Sequence, residues 1–148
     1  MTERFEQFSL TISELYYFLH RITRDEMEKY GLSGPHAIYF FILSRHKKGI
    51  TAAELSDISF KNKADVSRAI TLFEKKGLVK RNNSTKNSYR AKITLTEEGA
   101  LLSEKLRIRA KIVTEGVDKG LSDEKRAELY DALGIIASNM KKFCDFKN

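Results

Sequence analysis

The chain has 148 residues, a net charge of +7, 41% hydrophobic residues and a single cysteine. Such a hydrophobic content suffices for the core of one ordinary domain, and no apolar run is long enough for a signal peptide or a membrane span. Because Cys144 cannot form an internal disulfide, we expect a cytoplasmic protein. The sequence contains no P-loop, no glycine-rich dinucleotide fingerprint and no nucleophile motif, so we expect neither enzymatic activity nor a cofactor.

The first part of the chain is predicted to form two helices. Apolar residues at three- and four-residue spacing predict a long helix over residues 4–30. Pro35 can open a second helix, with Ser33 or Gly34 as its cap, because proline is favoured in the first helical turn. This helix is expected to reach about Lys47.

Two shorter helices are predicted next, separated by a tight turn. Thr51 and Glu54 have the spacing of a capping box, which predicts a helix over 52–59. Asn62 can cap a following helix that ends at Gly77. The apolar residues expected to pack these two helices together are Leu55, Ile58, Val66, Ile70 and Phe73.

A hairpin and two more helices complete the predicted order. Strands over 78–81 and 89–95 flank a polar turn at 82–88. A fifth helix is expected to start after Thr96, and a sixth at Ser122, because each residue can cap a helix N-terminus.

Positive charge is concentrated in one segment. Residues 61–92 contain ten basic and two acidic residues, a net charge of +8, whereas the rest of the chain carries −1. A concentration that overlaps a predicted helix and hairpin indicates binding to a polyanion. The alternative is a basic face that is merely solvated.

Helix, short helix, helix and basic hairpin is the order of a winged helix-turn-helix. The turn over residues 59–61 has the length that such motifs use. The polar side of the fourth helix carries small or basic groups that suit a major groove, since arginine can bind guanine and hydroxyls can bind bases or phosphates. We therefore predict DNA contacts from Lys61, Lys63, Ser67, Arg68, Thr71 and Lys80.

Four short motifs identify a family resemblance. They are GITAAELS at 49–56, DVSRAI at 65–70, LFEKKGLVKR at 72–81 and LTEEG at 95–99. Together they resemble the MarR family of bacterial transcriptional regulators, with a matching core over about 32–100. The flanking helices and the total length also fit, so the resemblance spans the chain.

The resemblance implies both a fold and a function. The implied fold is mainly α with a small β-hairpin wing. It forms a single domain over 1–148, with a winged helix-turn-helix lobe over 32–95 and a helical dimerisation layer over 4–30 and 96–146. The implied function is a homodimeric regulator, a repressor, that binds a palindromic operator in double-stranded DNA and is released by a small-molecule effector. Two alternatives stay open: an effector-blind DNA-binding protein and a winged-helix module that binds protein.

The wing departs from the family pattern. Family members carry an Asp-x-Arg triplet near the wing tip, whose arginine reaches into the minor groove. Here the aligned positions are 87–89 or 88–90, and neither register contains an aspartate. The resemblance therefore implies Arg90 as the anchoring base and Lys86 as the tip contact, unless Arg90 is an ordinary strand residue.

The family also implies an effector cleft between the dimer layer and the DNA-binding lobe. The aromatic and histidine residues that could line it are Tyr16, Tyr17, His20, His36, Tyr39 and Phe40. The alternative is that they pack in the core or a dimer interface. We expect no metal site, because the histidines lack cysteine or close carboxylate partners. Cys144 is either a redox sensor or an incidental thiol.

Overall fold

In the computed structural model, residues 2–82 and 90–145 are described, and over them the order of elements is the predicted one. The elements are α1 (Thr2–Glu28), a 3-10 turn (Gly34–His36), α2 (Ala37–Arg45), α3 (Ala52–Ser59), α4 (Lys63–Lys75), β1 (Val79–Asn82), β2 (Lys92–Leu95), α5 (Glu97–Val117) and α6 (Asp123–Asp145). This order confirms the mainly α fold with a small β-hairpin. The chain divides into two compact units, residues 1–111 and residues 112–148.

The predicted caps form and set the helix starts. Thr51 Oγ1 accepts from the Glu54 N–H at 3.2 Å, and the Glu54 carboxylate accepts from the Thr51 N–H at 2.7 Å. The carboxylate also accepts from the Thr51 hydroxyl at 3.0 Å, and the hydrogen bonds that it accepts from the Thr51 backbone and side chain lower the pKa of Glu54. At the start of α5, the Thr96 hydroxyl accepts from the Gly99 N–H at 3.1 Å and donates to the Gly77 carbonyl at 2.6 Å. The Thr96 cap therefore also joins α5 to the end of α4.

The core of the first unit surrounds Phe73 on α4. Its ring centroid lies 4.9 Å from that of Phe40, 5.8 Å from that of Tyr39 and 5.3 Å from that of His36. The other fully buried side chains come from α1, α2, α3, α4, the hairpin and α5: Met27, Leu43, Leu55, Val66, Ile70, Leu78, Ile93, Leu102 and Leu106. This packing fixes the face that α4 presents to solvent.

The prediction that Ile58 packs between the two helices is wrong. Ile58 is 44% exposed, whereas Leu55, Ser56 and Ser59 of the same helix are buried. With about 100° between successive helix residues, the centre of that buried stripe lies roughly 100° around α3 from Ile58. The helix therefore buries two serines and exposes an isoleucine.

The hairpin is shorter than predicted and contacts a third segment. The described part of the ladder pairs Val79 with Leu95 and Asn82 with Lys92, so the second strand starts at Lys92. Ile93 also exchanges backbone hydrogen bonds of 2.8 and 3.2 Å with Ile50, which the sequence patterns did not indicate. Gly49 allows the two backbone segments to come this close, because an added Cβ at this position would lie only 2.9 Å from the Lys92 Cβ and would clash with it.

The second unit contains the end of α5 and all of α6. As predicted, Ser122 caps α6, since its hydroxyl accepts from the Lys125 N–H at 3.3 Å. Arg126 lies 2.9 Å from a carboxylate oxygen of Asp118. None of the residues of α6 is buried, and its exposed apolar side chains include Leu129, Leu133, Ile136 and Met140.

Candidate nucleic-acid interface

Helix α4 has one buried and one exposed side. The buried side consists of Val66, Ala69, Ile70 and Phe73. The exposed side carries four of the predicted DNA contacts: Lys63, Ser67, Arg68 and Thr71. Because the apolar side is anchored in the core, α4 presents a small, polar and positively charged surface in a fixed orientation.

The Arg68 side chain on this surface is held by a carboxylate. Asp65 forms a close ion pair with the Arg68 guanidinium, whose side chain is 71% exposed. Asp65 also accepts from the Asn62 side-chain amide at 2.7 Å, while the Asn62 Oδ1 accepts from the Asp65 N–H at 2.8 Å. A guanidinium has five N–H donors, so the ion pair leaves others free for a base. The i, i+3 spacing of Asp65 and Arg68 is a signal in the sequence for such pairing.

Thr71 is more restricted than the sequence suggested. Its hydroxyl donates to the Ser67 carbonyl at 3.0 Å. The proton is therefore engaged within the helix, while the oxygen lone pairs and the methyl group remain available. Thr71 can accept from an exocyclic amine or contact a thymine methyl, both of which are found in the major groove.

Lys61 lies against α1. Its Nζ is 3.5 Å from the Tyr16 hydroxyl and 6.0 Å from the centroid of that ring. The Tyr16 ring in turn contacts His20 edge-on, with centroids 4.1 Å apart. Burial, and to a smaller extent the charge of Lys61, lower the pKa of His20. Lys61 thus connects the turn before α4 to α1.

The basic residues of the wing differ in their availability. Lys80 on β1 and Arg90 before β2 are exposed. Arg81, in contrast, forms a partly buried ion pair with Glu74 at 3.1 Å, so its charge is neutralised within the protein. Lys86 lies outside the described residues.

The six candidate effector residues fall into two groups of contacts. His36, Tyr39 and Phe40 surround Phe73 in the core. On α1, Tyr16 contacts His20, whereas Tyr17 is exposed and contacts Phe18 and Arg21. A cleft of about 360 Å³ between α2, β2 and α5 is instead lined by Leu43, Ser44, Lys47, Thr94, Leu95, Ala100, Ser103, Glu104 and Arg107.

Other site types find no support in residues 2–82 and 90–145. No group of three or more histidine, cysteine, aspartate or glutamate side chains there could hold a metal ion. No helix in the same residues has the length and hydrophobicity needed to cross a membrane. Cys144 is exposed near the end of α6.

The comparisons with known proteins agree on one family. The sequence model of the MarR family matches residues 30–87. A MarR transcriptional regulator from Methanosarcina mazei Go1 is similar at 27% identity and a TM-score of 0.81, with 93% of this chain and 99% of that chain covered. A putative MarR family regulator from Listeria monocytogenes, solved with a 26mer DNA, is similar at 25% identity and a TM-score of 0.79, with 88% and 86% covered.

A third structure shares the fold at lower identity. Staphylococcus aureus MarR, in complex with salicylate and kanamycin, has a TM-score of 0.80 at 17% identity, with 93% of this chain and 92% of that chain covered. Among curated proteins, none is similar enough in sequence to match.

Proposed function

We propose that this chain, which resembles the MarR family of transcriptional regulators in sequence and in fold, represses transcription as a homodimer bound to a palindromic DNA operator. The observation that carries this proposal is the exposed side of α4, where Asp65 holds the Arg68 guanidinium. The Listeria monocytogenes relative, which was solved with DNA, supports duplex DNA as the ligand. Two copies of α4 related by symmetry would then read two half-sites.

The dimer is proposed from apolar residues that the single chain leaves in water. Along one side, helix α1 exposes Phe5, Ile12 and Leu15, and α6 separately exposes Leu129, Leu133, Ile136 and Met140. Contiguous exposed apolar stripes are unusual on monomers and favour an interface. Light scattering at micromolar concentration should give about twice the chain mass of 17.0 kDa. A monomer over that range would contradict both the dimer and the palindromic site.

Selection of bound duplexes from random DNA, followed by titration, tests the proposed function. We expect Arg68→Ala to cost about 1–3 kcal/mol on the selected sequence and to relax the base preference. Arg107→Ala is the matched control, because Arg107 forms a comparable i, i+3 ion pair with Glu104 at 3.3 Å on α5. Equal affinities of Arg68→Ala and the wild type for the selected duplex would show that α4 does not read bases.

We also propose that a small-molecule effector releases the protein from DNA. The Staphylococcus aureus structure holds salicylate, which favours a small aromatic acid as the class to test. Tyr16, Tyr17 and His20 on α1 are the candidates that are not packed around Phe73. If salicylate changes neither the melting temperature nor the affinity for the selected duplex, the regulator is blind to this class of effector.

A further inference from the structure

Phe60, which follows α3, has a left-handed backbone conformation. Its φ is 55° and its ψ is 31°, and it is the one residue other than glycine with positive φ among residues 2–82 and 90–145. A Cβ makes this region unfavourable, so the residue that closes a helix in this way is usually glycine. This chain follows that rule elsewhere, for example at Gly77, which has φ of 70° after α4.

The phenylalanine ring gains nothing from burial to offset this cost. Its residue is 81% exposed, more than any other large hydrophobic residue described. A hydrogen bond spans the turn, since the Ser56 hydroxyl donates to the Lys61 carbonyl at 2.6 Å across Phe60. The fold thus holds an aromatic ring in solvent at the turn, in a conformation that glycine would adopt without strain. Strained residues of this kind cluster at functional sites.

The position of the ring indicates what it contacts. Phe60 lies two residues before Asn62, the cap of α4, and three before Lys63, its first residue. The N-terminal end of a recognition helix is the part that meets base edges. Lys61 and Lys63 follow Phe60 closely in sequence, so a hydrophobic protein surface would have to desolvate positive charge there, whereas DNA would neutralise it.

We infer that Phe60 is a specificity-determining residue that contacts a thymine 5-methyl group at the edge of each half-site. The thymine methyl is the apolar group displayed in the major groove, and phenylalanine is a known partner for it. This inference rests on the proposed function, because it requires that α4 enters the groove. It adds an apolar contact to the polar contacts of Arg68, Ser67 and Thr71.

The test combines two protein variants with a change in the DNA. Each thymine of the selected duplex is replaced in turn by deoxyuridine, which lacks only the methyl group. For the wild type, one position in each half-site should lose about fourfold in affinity, the value of one buried methyl. Phe60→Gly and Phe60→Ala should both bind the original duplex more weakly and no longer respond to that replacement. Arg68→Ala should bind weakly but still respond.

The two variants separate the ring from the backbone. Phe60→Gly removes the strain and should raise the melting temperature by a few degrees, whereas Phe60→Ala retains the Cβ and should not. If only Phe60→Gly lost DNA affinity, backbone freedom rather than the ring would be responsible, and the inference would be overturned.

The remaining outcomes distinguish this inference from the proposed function. If the wild type selects no duplex, the proposed function fails and the thymine contact fails with it. If the wild type binds but both variants match it, or if no deoxyuridine position matters, only the thymine contact is wrong. A change in molecular mass for both variants would assign the ring to a protein interface and overturn the inference.

Discussion

Helix α4 and the wing hairpin carry most of the net positive charge of the chain, but they differ in how far the protein positions their basic side chains. α4 is capped by Asn62, anchored by Phe73 and has its Arg68 held by Asp65. Lys80 and Arg90 of the wing are exposed, and no carboxylate ion pair with either is found among the described residues. This contrast suggests that α4 supplies sequence preference through positioned groups, while the wing supplies affinity through charge.

The largest expected effect comes from removing the anchor of α4. Phe73 is fully buried against Phe40, Tyr39 and His36, so Phe73→Ala should destabilise the fold by about 3–5 kcal/mol. Urea denaturation measures the loss. Lys80→Ala on the exposed side of β1 is the control and should change stability by no more than about 0.5 kcal/mol. A loss below about 1 kcal/mol for Phe73→Ala would mean that α4 is not anchored by its ring.

The role of the wing is tested by its salt dependence. Removing Lys86 and Arg90 from both subunits of the proposed dimer should lower the slope of log affinity against log salt by roughly 3.6 units, about 0.9 for each of four lost phosphate contacts. The ratio of affinities for the selected and random duplexes should stay nearly constant, because phosphate contacts carry no sequence information. A large fall in that ratio would show that Arg90 reads the groove despite the missing aspartate.

Asp65→Asn tests whether the positioning of Arg68 on α4 contributes to sequence preference. It removes a negative charge near the DNA-facing surface, so affinity for random DNA should rise. It also releases Arg68, so affinity for the selected duplex should fall. We expect the specificity ratio to decrease by about tenfold, equivalent to about 1.4 kcal/mol. Titrations on both duplexes measure the ratio, and an unchanged ratio would indicate that Arg68 needs no positioning.

The smallest expected effect concerns how the stability of the core that anchors α4 changes at acidic pH. Burial lowers the pKa of His36 below the ordinary value of 6.5. Its Nδ1 accepts from the Ser33 N–H at 3.2 Å, and its ring contacts Phe73. The unfolded chain therefore binds a proton more readily, so this contribution to stability is complete above pH 6.5 and decreases as the pH falls below it.

His36→Gln should weaken that dependence. Urea denaturation at pH 7.5 and 5.5 compares the two proteins, and the interval stays above the range in which Glu54, whose pKa is lowered, takes up a proton. The pKa of His20 is lowered as well, so part of the dependence should remain in the variant. Equal pH dependence in the two proteins would exclude His36 as a source.

The order of the elements and the starts of four helices could be predicted from local sequence patterns. Thr51 with Glu54, Asn62, Thr96 and Ser122 cap the helices as predicted, because a cap depends on residues three positions apart in the chain. The basic segment and the exposed polar side of α4 could be predicted as well, since helical periodicity alone separates them from the apolar side. The contacts of these residues with DNA remain predictions.

Tertiary packing, in contrast, sets which of the candidate side chains are free. It exposed Ile58, placed Lys61 against Tyr16, neutralised Arg81 with Glu74 and paired Ile50 with Ile93. The last three contacts join residues between 7 and 45 positions apart, and local patterns contain no information on such pairs. The orientation of α3 likewise follows from packing against its neighbours. Whether a charged residue is available to DNA therefore depends on whether the fold already buries and pairs it, as it does Arg81 with Glu74.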